Sequence, residues 1–172
     1  MKLAIFSDIH GNITALREVL RDIDRENVDK RFCLGNLVEY GSHPNEVKLV
    51  HGSPRKINEY LFFDRPAQSL NRILKKDNID ILICGHTHLS YVRYLKSGII
   101  INDGSVGKPK AYNKEQRVFT SEAGYLIINL EKDEISIEHR KIPYDYEKLA
   151  KEIEETELPD HFANIIRGIK DL

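Results

Sequence analysis

Four short apolar runs in this chain each end in a polar side chain beside a glycine, and no other feature narrows the fold as far. Lys2 to Ser7 leads into Asp8-Ile9-His10-Gly11, Arg31 to Leu34 into Gly35-Asn36, Val47 to Val50 into His51-Gly52, and Ile79 to Cys84 into Gly85-His86-Thr87-His88. Short apolar runs stopped by glycine read as buried strands. Asn12 can cap a helix whose apolar residues Leu16, Val19, Leu20 and Ile23 recur at helical spacing, and Ala67, Leu70, Ile73 and Leu74 mark another helix after Pro66. Strands alternating with helices predict an α/β fold, and such folds gather their ligands at the carboxyl ends of the strands.

Beyond Cys84 the texture changes. Ser90 to Leu95, Gly98 to Asn102, Val118 to Leu130 and Ile135 to Arg140 read as strands with short turns, one of them at Lys132-Asp133, and this half is expected to be largely antiparallel. Two tail helices are predicted, Tyr146 to Glu154 and Pro159 to Ile169, packed across the outside. No repeat and no Gly-, Ser- or Pro-rich linker divides the chain, so residues 1–172 are expected to form a single domain that buries about 70% of the surface of the unfolded chain.

Twenty-six basic residues against 27 acidic ones create no field for nucleic acid or an anionic membrane. No run approaches the roughly 18 apolar residues of a membrane span, and the N-terminus has no cleavage-site pattern, so a cytoplasmic protein is expected. Cys33 and Cys84 each close an apolar run, where a small buried thiol is the expected state.

The polar ends of the four runs carry the chemistry. Asp8, Asn36, His51 and His86 could converge on one edge of the sheet. In Asp8-Ile9-His10 an extended backbone would point both polar side chains to one side and Ile9 into the core, and the same geometry is expected for His86-Thr87-His88. Carboxylate and imidazole together suit zinc, manganese or iron, which lower the pKa of bound water toward about 7. A lone Asp-x-His is more often a cap or a satisfied turn, whereas Gly-His-Thr-His directly after a buried strand is a more specific signal. His43 in a Ser-His-Pro turn, His139 on a strand and His161 on a tail helix lie outside every motif and read as ordinary residues. Lys108 and Lys110 read as solvated surface, and Glu152 to Glu157 as the solvated face and end of a helix. Gly104-Ser105-Val106-Gly107 lacks the spacing of a phosphate-cradling P-loop and suggests instead a close approach of two backbones.

Together Ser7-Asp8-Ile9-His10-Gly11-Asn12, Tyr40-Gly41, Leu49-Val50-His51-Gly52-Ser53-Pro54, Gly85-His86-Thr87-His88 and Asn102-Asp103-Gly104-Ser105-Val106-Gly107 resemble the calcineurin-like metallophosphoesterases, in particular their small prokaryotic YfcE-type phosphodiesterase branch. The resemblance runs in order along nearly the whole chain. It implies a sandwich of two mixed sheets flanked by helices. It also implies that Asp8, His10 and His88 hold one divalent metal ion (manganese, iron, zinc or nickel) and His51 and His86 a second, with Asn12 near bound phosphate.

Two departures stand out. The family bridges its metals with an aspartate where this chain has Asn36, and the family's Gly-Asn-His motif is absent, because Glu46 leads almost at once into Val47 to His51. One strand-helix block is thus expected to be missing, leaving backbone that neighbouring strands or a second copy of the chain would pair. The function this implies is hydrolysis of a phosphate ester, in a small molecule or nucleotide, by metal-bound hydroxide. One or two ions per chain and reduced activity are expected, with no catalytic histidine assigned. The alternative is a degenerate binding or scaffold protein of the kind represented by the retromer subunit of this fold.

Overall fold

The computed structural model describes residues 1–35, 47–113, 116–131 and 134–167, with side chains described for all of these except 111–113 and 116–119. The elements are β1 (Lys2–Phe6), α1 (Ile13–Arg25), β2 (Lys30–Cys33), β3 (Val47–Leu49), α2 (Ala67–Lys76), β4 (Ile81–Cys84), β5 (Tyr91–Leu95), β6 (Gly98–Asn102), β7 (Lys110–Asn113), β8 (Gln116–Phe119), β9 (Glu122–Glu131), β10 (Glu134–Pro143), α3 (Tyr146–Glu154) and α4 (His161–Ile166). Two four-stranded sheets form, ordered β10-β9-β1-β2 and β3-β4-β6-β5, beside a β7-β8 hairpin. Each sheet is mixed: β1 runs parallel to β2 and antiparallel to β9, while β4 runs parallel to β3 and β6 and β5 runs antiparallel to β6.

Alternation along the central strands explains the layering. Leu3 and Ile5 of β1 meet Ile81 and Ile83 of β4, together with Ile101, Leu126 and Ile128, between the sheets. Ala4 and Phe6 turn the other way onto Ala15, Val19 and Ile23 of α1, and Leu82 and Cys84 turn onto Leu70, Ile73 and Leu74 of α2. Strands buried on both faces need apolar residues at every position, which is why β1 and β4 read as unbroken runs. The expected α/β sandwich of two mixed sheets flanked by helices is what forms.

Asn12 caps α1 through a 2.9 Å bond from the Ala15 N–H. α3 and α4 pack together at the outside, with Leu149 against the α1 layer. Among the described residues, β2 and β3 are the outer strands of their sheets.

Several expectations need correction. Val118 to Leu130 is not one strand. A break at Thr120 and Ser121, where the Thr120 N–H bonds the Pro109 carbonyl, separates β8 from β9, and β7 supplies a hairpin partner that the apolar pattern did not reveal. The second half is largely antiparallel as expected, in the pairs β5-β6, β7-β8, β9-β10 and β1-β9, with β6 joining β4 in parallel as the exception. Cys84 is buried as expected but Cys33 is exposed, since β2 is an edge strand with exposed residues at three of its four positions. The turn expected at Lys132-Asp133 lies outside the described residues, as do Tyr40, Gly41 and His43.

Candidate metal centre

Asp8, His10, His51, His86 and His88 converge where the carboxyl ends of β1, β3 and β4 meet. The ends are tied to one another: the Gly85 N–H bonds the His51 carbonyl at 2.8 Å, the Val106 N–H bonds the Ser7 carbonyl, and the Gly107 N–H bonds the Asp8 carbonyl, both at 3.0 Å. Close packing of these turns requires glycine. A Cβ on Gly85 would lie 2.4 Å from Ser7 Oγ and 2.9 Å from Asp8 Oδ2, and one on Gly107 would lie 1.9 Å from the Ile9 carbonyl. The segment from Gly104 to Gly107 is therefore a backbone brace, as its spacing suggested.

The backbone at the cluster is not extended. Asp8, His10, His86 and His88 have φ of 54°, 50°, 65° and 62°, and among the described residues only Asn27 and Asn78 join them as non-glycine residues with positive φ. The extended geometry expected for Asp8-Ile9-His10 and His86-Thr87-His88 is thus replaced by left-handed turns, although Ile9 still packs toward the α1 layer. Left-handed backbone costs an L-residue roughly 1 kcal/mol or more and persists where the surroundings enforce it.

These turns sort the histidines into two pairs. His10 Nε2 and His88 Nε2 stand 3.1 Å apart, as do His51 Nε2 and His86 Nδ1. Asp8 Oδ1 faces both pairs, 3.3 Å from His88 and 3.7 Å from each of His10 and His51. Asp8 therefore belongs to two groups, one with His10 and His88 and the other with His51 and His86, and within each group the ligand atoms lie within 4.8 Å of one another. Ligand atoms sharing an ion at about 2.1 Å stand roughly 3.0 Å apart when adjacent and up to about 4.2 Å when opposite, and separations of 3.1 to 3.7 Å fall in that range, so the donor set fits a divalent metal.

Supporting contacts differ between the groups. Asp8 Oδ2 accepts bonds from Ser7 Oγ and the His86 N–H, both 2.8 Å, which leaves Oδ1 for the histidines. The His88 Nδ1–H donates to the Lys108 carbonyl at 3.0 Å, so neutral His88 presents a bare Nε2, the arrangement usual in metal-ligating histidines. His51 Nδ1 and His86 Nε2 are buried without partners among the described residues. Burial opposes ionisation of Asp8, but the facing His10 and His88 side chains and the His86 N–H outweigh it and hold the carboxyl well below the usual range. Burial, followed by neighbouring His51, pushes the His86 imidazole down, favouring its neutral form.

Asp8 and His88 are buried, His51 and His86 half-buried, and His10 exposed at the mouth. Asn12 is buried beside the cluster with both polar atoms engaged, Oδ1 in the helix cap and Nδ2 donating to the Gly107 carbonyl at 3.3 Å. Asn36 lies outside the described residues. His139 donates to the Asn102 carbonyl at 2.7 Å, and His161 packs on Phe162; neither belongs to the two ligand groups. Lys108 is half-buried, with its ammonium over the Phe162 ring.

Sequence reasoning did not anticipate Asp8 as the member common to both groups, nor Tyr60 stacked on His86. A run of aromatics in Tyr60-Leu61-Phe62-Phe63, in a loop directly downstream of His51, was the available signal for the second.

Comparison with known proteins follows this geometry. The calcineurin-like phosphoesterase superfamily domain matches residues 42–133, and a calcineurin-like phosphoesterase profile matches residues 1–57. The Methanocaldococcus jannaschii protein MJ0912 is 52% identical over 49 residues, which are 28% of this chain and only 20% of that protein. Among solved structures, the hypothetical protein PH1004 of Pyrococcus horikoshii superposes with a TM-score of 0.80 at 14% identity, covering 96% of this chain and 97% of its own. A metallophosphoesterase of Sphaerobacter thermophilus does so with a TM-score of 0.70 at 21% identity, covering 98% and 99%. At these identities the likeness is one of fold.

Proposed function

Because the chain belongs to the calcineurin-like phosphoesterase superfamily, we propose that it hydrolyses a phosphomonoester or phosphodiester at the Asp8 cluster. His10 and His88 complete one metal position and His51 and His86 a second. The observation that carries this reading is the position of Asp8 Oδ1 between two imidazole pairs at ligand-to-ligand distances. Divalent ions held there, whether manganese, iron, zinc or nickel, would activate water and neutralise phosphoryl charge.

The chain's own groups have separable tasks. Among the described residues Asp8 supplies the single carboxylate of the two groups and shares it, offsetting in part the neutral Asn36 at the position of the family's bridging aspartate. His88, fixed by the Lys108 carbonyl, is the preorganised ligand, and exposed His10 borders the path by which a phosphate ester would arrive. Asn12 acts through the backbone, fixing the start of α1 against Gly107. No side chain is assigned to protonate the leaving group, so a substrate with a good leaving group is the appropriate first probe.

A second reading rests on the same count of charge: with Asp8 as the one carboxylate in both groups, the fold can persist as a binding module holding one ion or none. Metal analysis of the purified protein, joined to hydrolysis of bis(p-nitrophenyl) phosphate with manganese, separates the two. We expect bound metal, turnover, and a loss of at least tenfold in His88→Ala. Equal rates in both proteins would overturn the phosphoesterase assignment, and absence of both metal and turnover would favour the binding module.

A further inference from the structure

The loop between β3 and α2 carries an aromatic surface into the metal cluster. Tyr60 stacks on the His86 ring with centroids 4.1 Å apart and planes 20° apart. Phe62 lies parallel to Tyr60, 4° from coplanar orientation, at 5.3 Å. Parallel rings at that centroid distance are offset rather than superposed, so Phe62 overlaps the Tyr60 ring only in part, and Tyr60 remains 49% exposed. Ile57 and Phe63 in the same loop are each 55% exposed. Clustered exposed apolar groups of this kind mark binding surfaces more often than isolated ones do.

The loop is built to hold these groups. Leu61 is buried in the α2 layer, its carbonyl accepts from the Tyr91 hydroxyl, and Arg93 donates to the Phe63 and Arg65 carbonyls while lying over the Phe63 ring. Glu59 collects Ser53, Arg55 and Arg65. Gly52 permits the Ile57 carbonyl to lie where a Cβ would meet it at 2.3 Å. Exposed rings held this firmly lose little freedom when a ligand covers them.

We propose that Tyr60 forms the floor of a subsite for a planar aromatic group, such as a nucleobase, carried by the phosphate ester. This rests on the phosphoesterase reading, because the ring that Tyr60 stacks on belongs to a residue assigned there as a metal ligand. The occupant follows from that continuity: a phosphate at the cluster puts its organic substituent within reach of the Tyr60 ring. Aromatic side chains accept any base with little sequence preference, since every base has a π-face.

Two probes with the same phosphate isolate the subsite: adenosine 5′-monophosphate and ribose 5-phosphate, titrated calorimetrically into manganese-loaded protein. Adenosine 5′-monophosphate should bind about tenfold tighter, the low end of the worth of a base-aromatic stack. Tyr60→Phe should keep that ratio and Tyr60→Ala should bring it near one, with metal content measured in each to show that His86 remains in position. A loss of metal alone would change both affinities together and leave the ratio unmoved. Equal affinities in the wild-type protein, or no binding of either probe, would overturn the subsite. Hydrolysis of bis(p-nitrophenyl) phosphate persisting beside equal affinities would leave the phosphoesterase reading intact.

Discussion

Behind the cluster, Asp103 is 1% exposed; its Oδ1 accepts from Ser7 Oγ at 2.9 Å, and its Oδ2 has no partner among the described residues. The Ser7 hydroxyl has one proton and two carboxyls to serve, and Asp8 lies at 2.8 Å. Burial first, and the nearby Asp8 charge in support, push the Asp103 carboxyl well above its ordinary range despite the Ser7 bond. An acid raised on folding contributes most below its unfolded pKa of about 4 and loses that contribution as pH rises toward the folded value. Asp103→Asn should therefore stabilise chelator-treated protein by about 1 to 3 kcal/mol at pH 7, the usual penalty of an unsatisfied buried group, and by almost nothing near pH 3. Urea unfolding at the two pH values checks this, and equal gains at both would refute the assignment. At this scale the convergence of Asp8, His10, His51, His86 and His88 was legible from their places at the ends of apolar runs, with Gly-His-Thr-His the more specific signal and Asp-x-His the weaker. Their left-handed backbones were hidden, since no local preference of aspartate or histidine demands positive φ, and at Asp8 the bracing bonds come from the Ser105 hydroxyl and the Gly107 N–H, about 100 residues away.

Among the elements, the segment from His51 to Arg65 has neither helix nor strand and is held by side chains. Burial opposes ionisation of Glu59, but Arg55, Ser53 and Arg65 outweigh it and bring its carboxyl down to about 2. An acid lowered on folding stabilises above its unfolded pKa and loses that contribution as pH falls through the folded value. Glu59→Gln should then cost about 1 kcal/mol at neutral pH, a deficit fading between roughly pH 4.5 and 2; a thermal-unfolding series across that range tests it, and a deficit independent of pH would count against the brace. The elements easiest to read were those with a strong period, α1 and α2, and those buried on both faces, β1 and β4. β7 and β8 were hard because a hairpin outside the two main sheets leaves no long apolar signature, and Cys33 misled because an apolar neighbour does not reveal that its strand is an edge.

For the molecule as a whole, the cluster joins the two sheets: Asp8 and His10 follow β1 in one, while His51, His86 and His88 follow β3 and β4 in the other. An ion bound only by the assembled sheets stabilises the folded state by mass action, about 2.7 kcal/mol at a hundredfold excess over its dissociation constant. Melting temperature should therefore rise with added manganese and fall after chelation, and the rise should be largely lost in His88→Ala. A melting temperature indifferent to metal would mean that no ion bridges the sheets. Among the described residues no helix is long and apolar enough to cross a membrane.

Four left-handed residues lie at Asp8, His10, His86 and His88. Glycine would relieve the backbone at each of them, yet glycine would also remove the donor atom. Durability and recognition are thus set against each other at the same four codons, and relief of the backbone at these positions is drift away from the proposed metal centre.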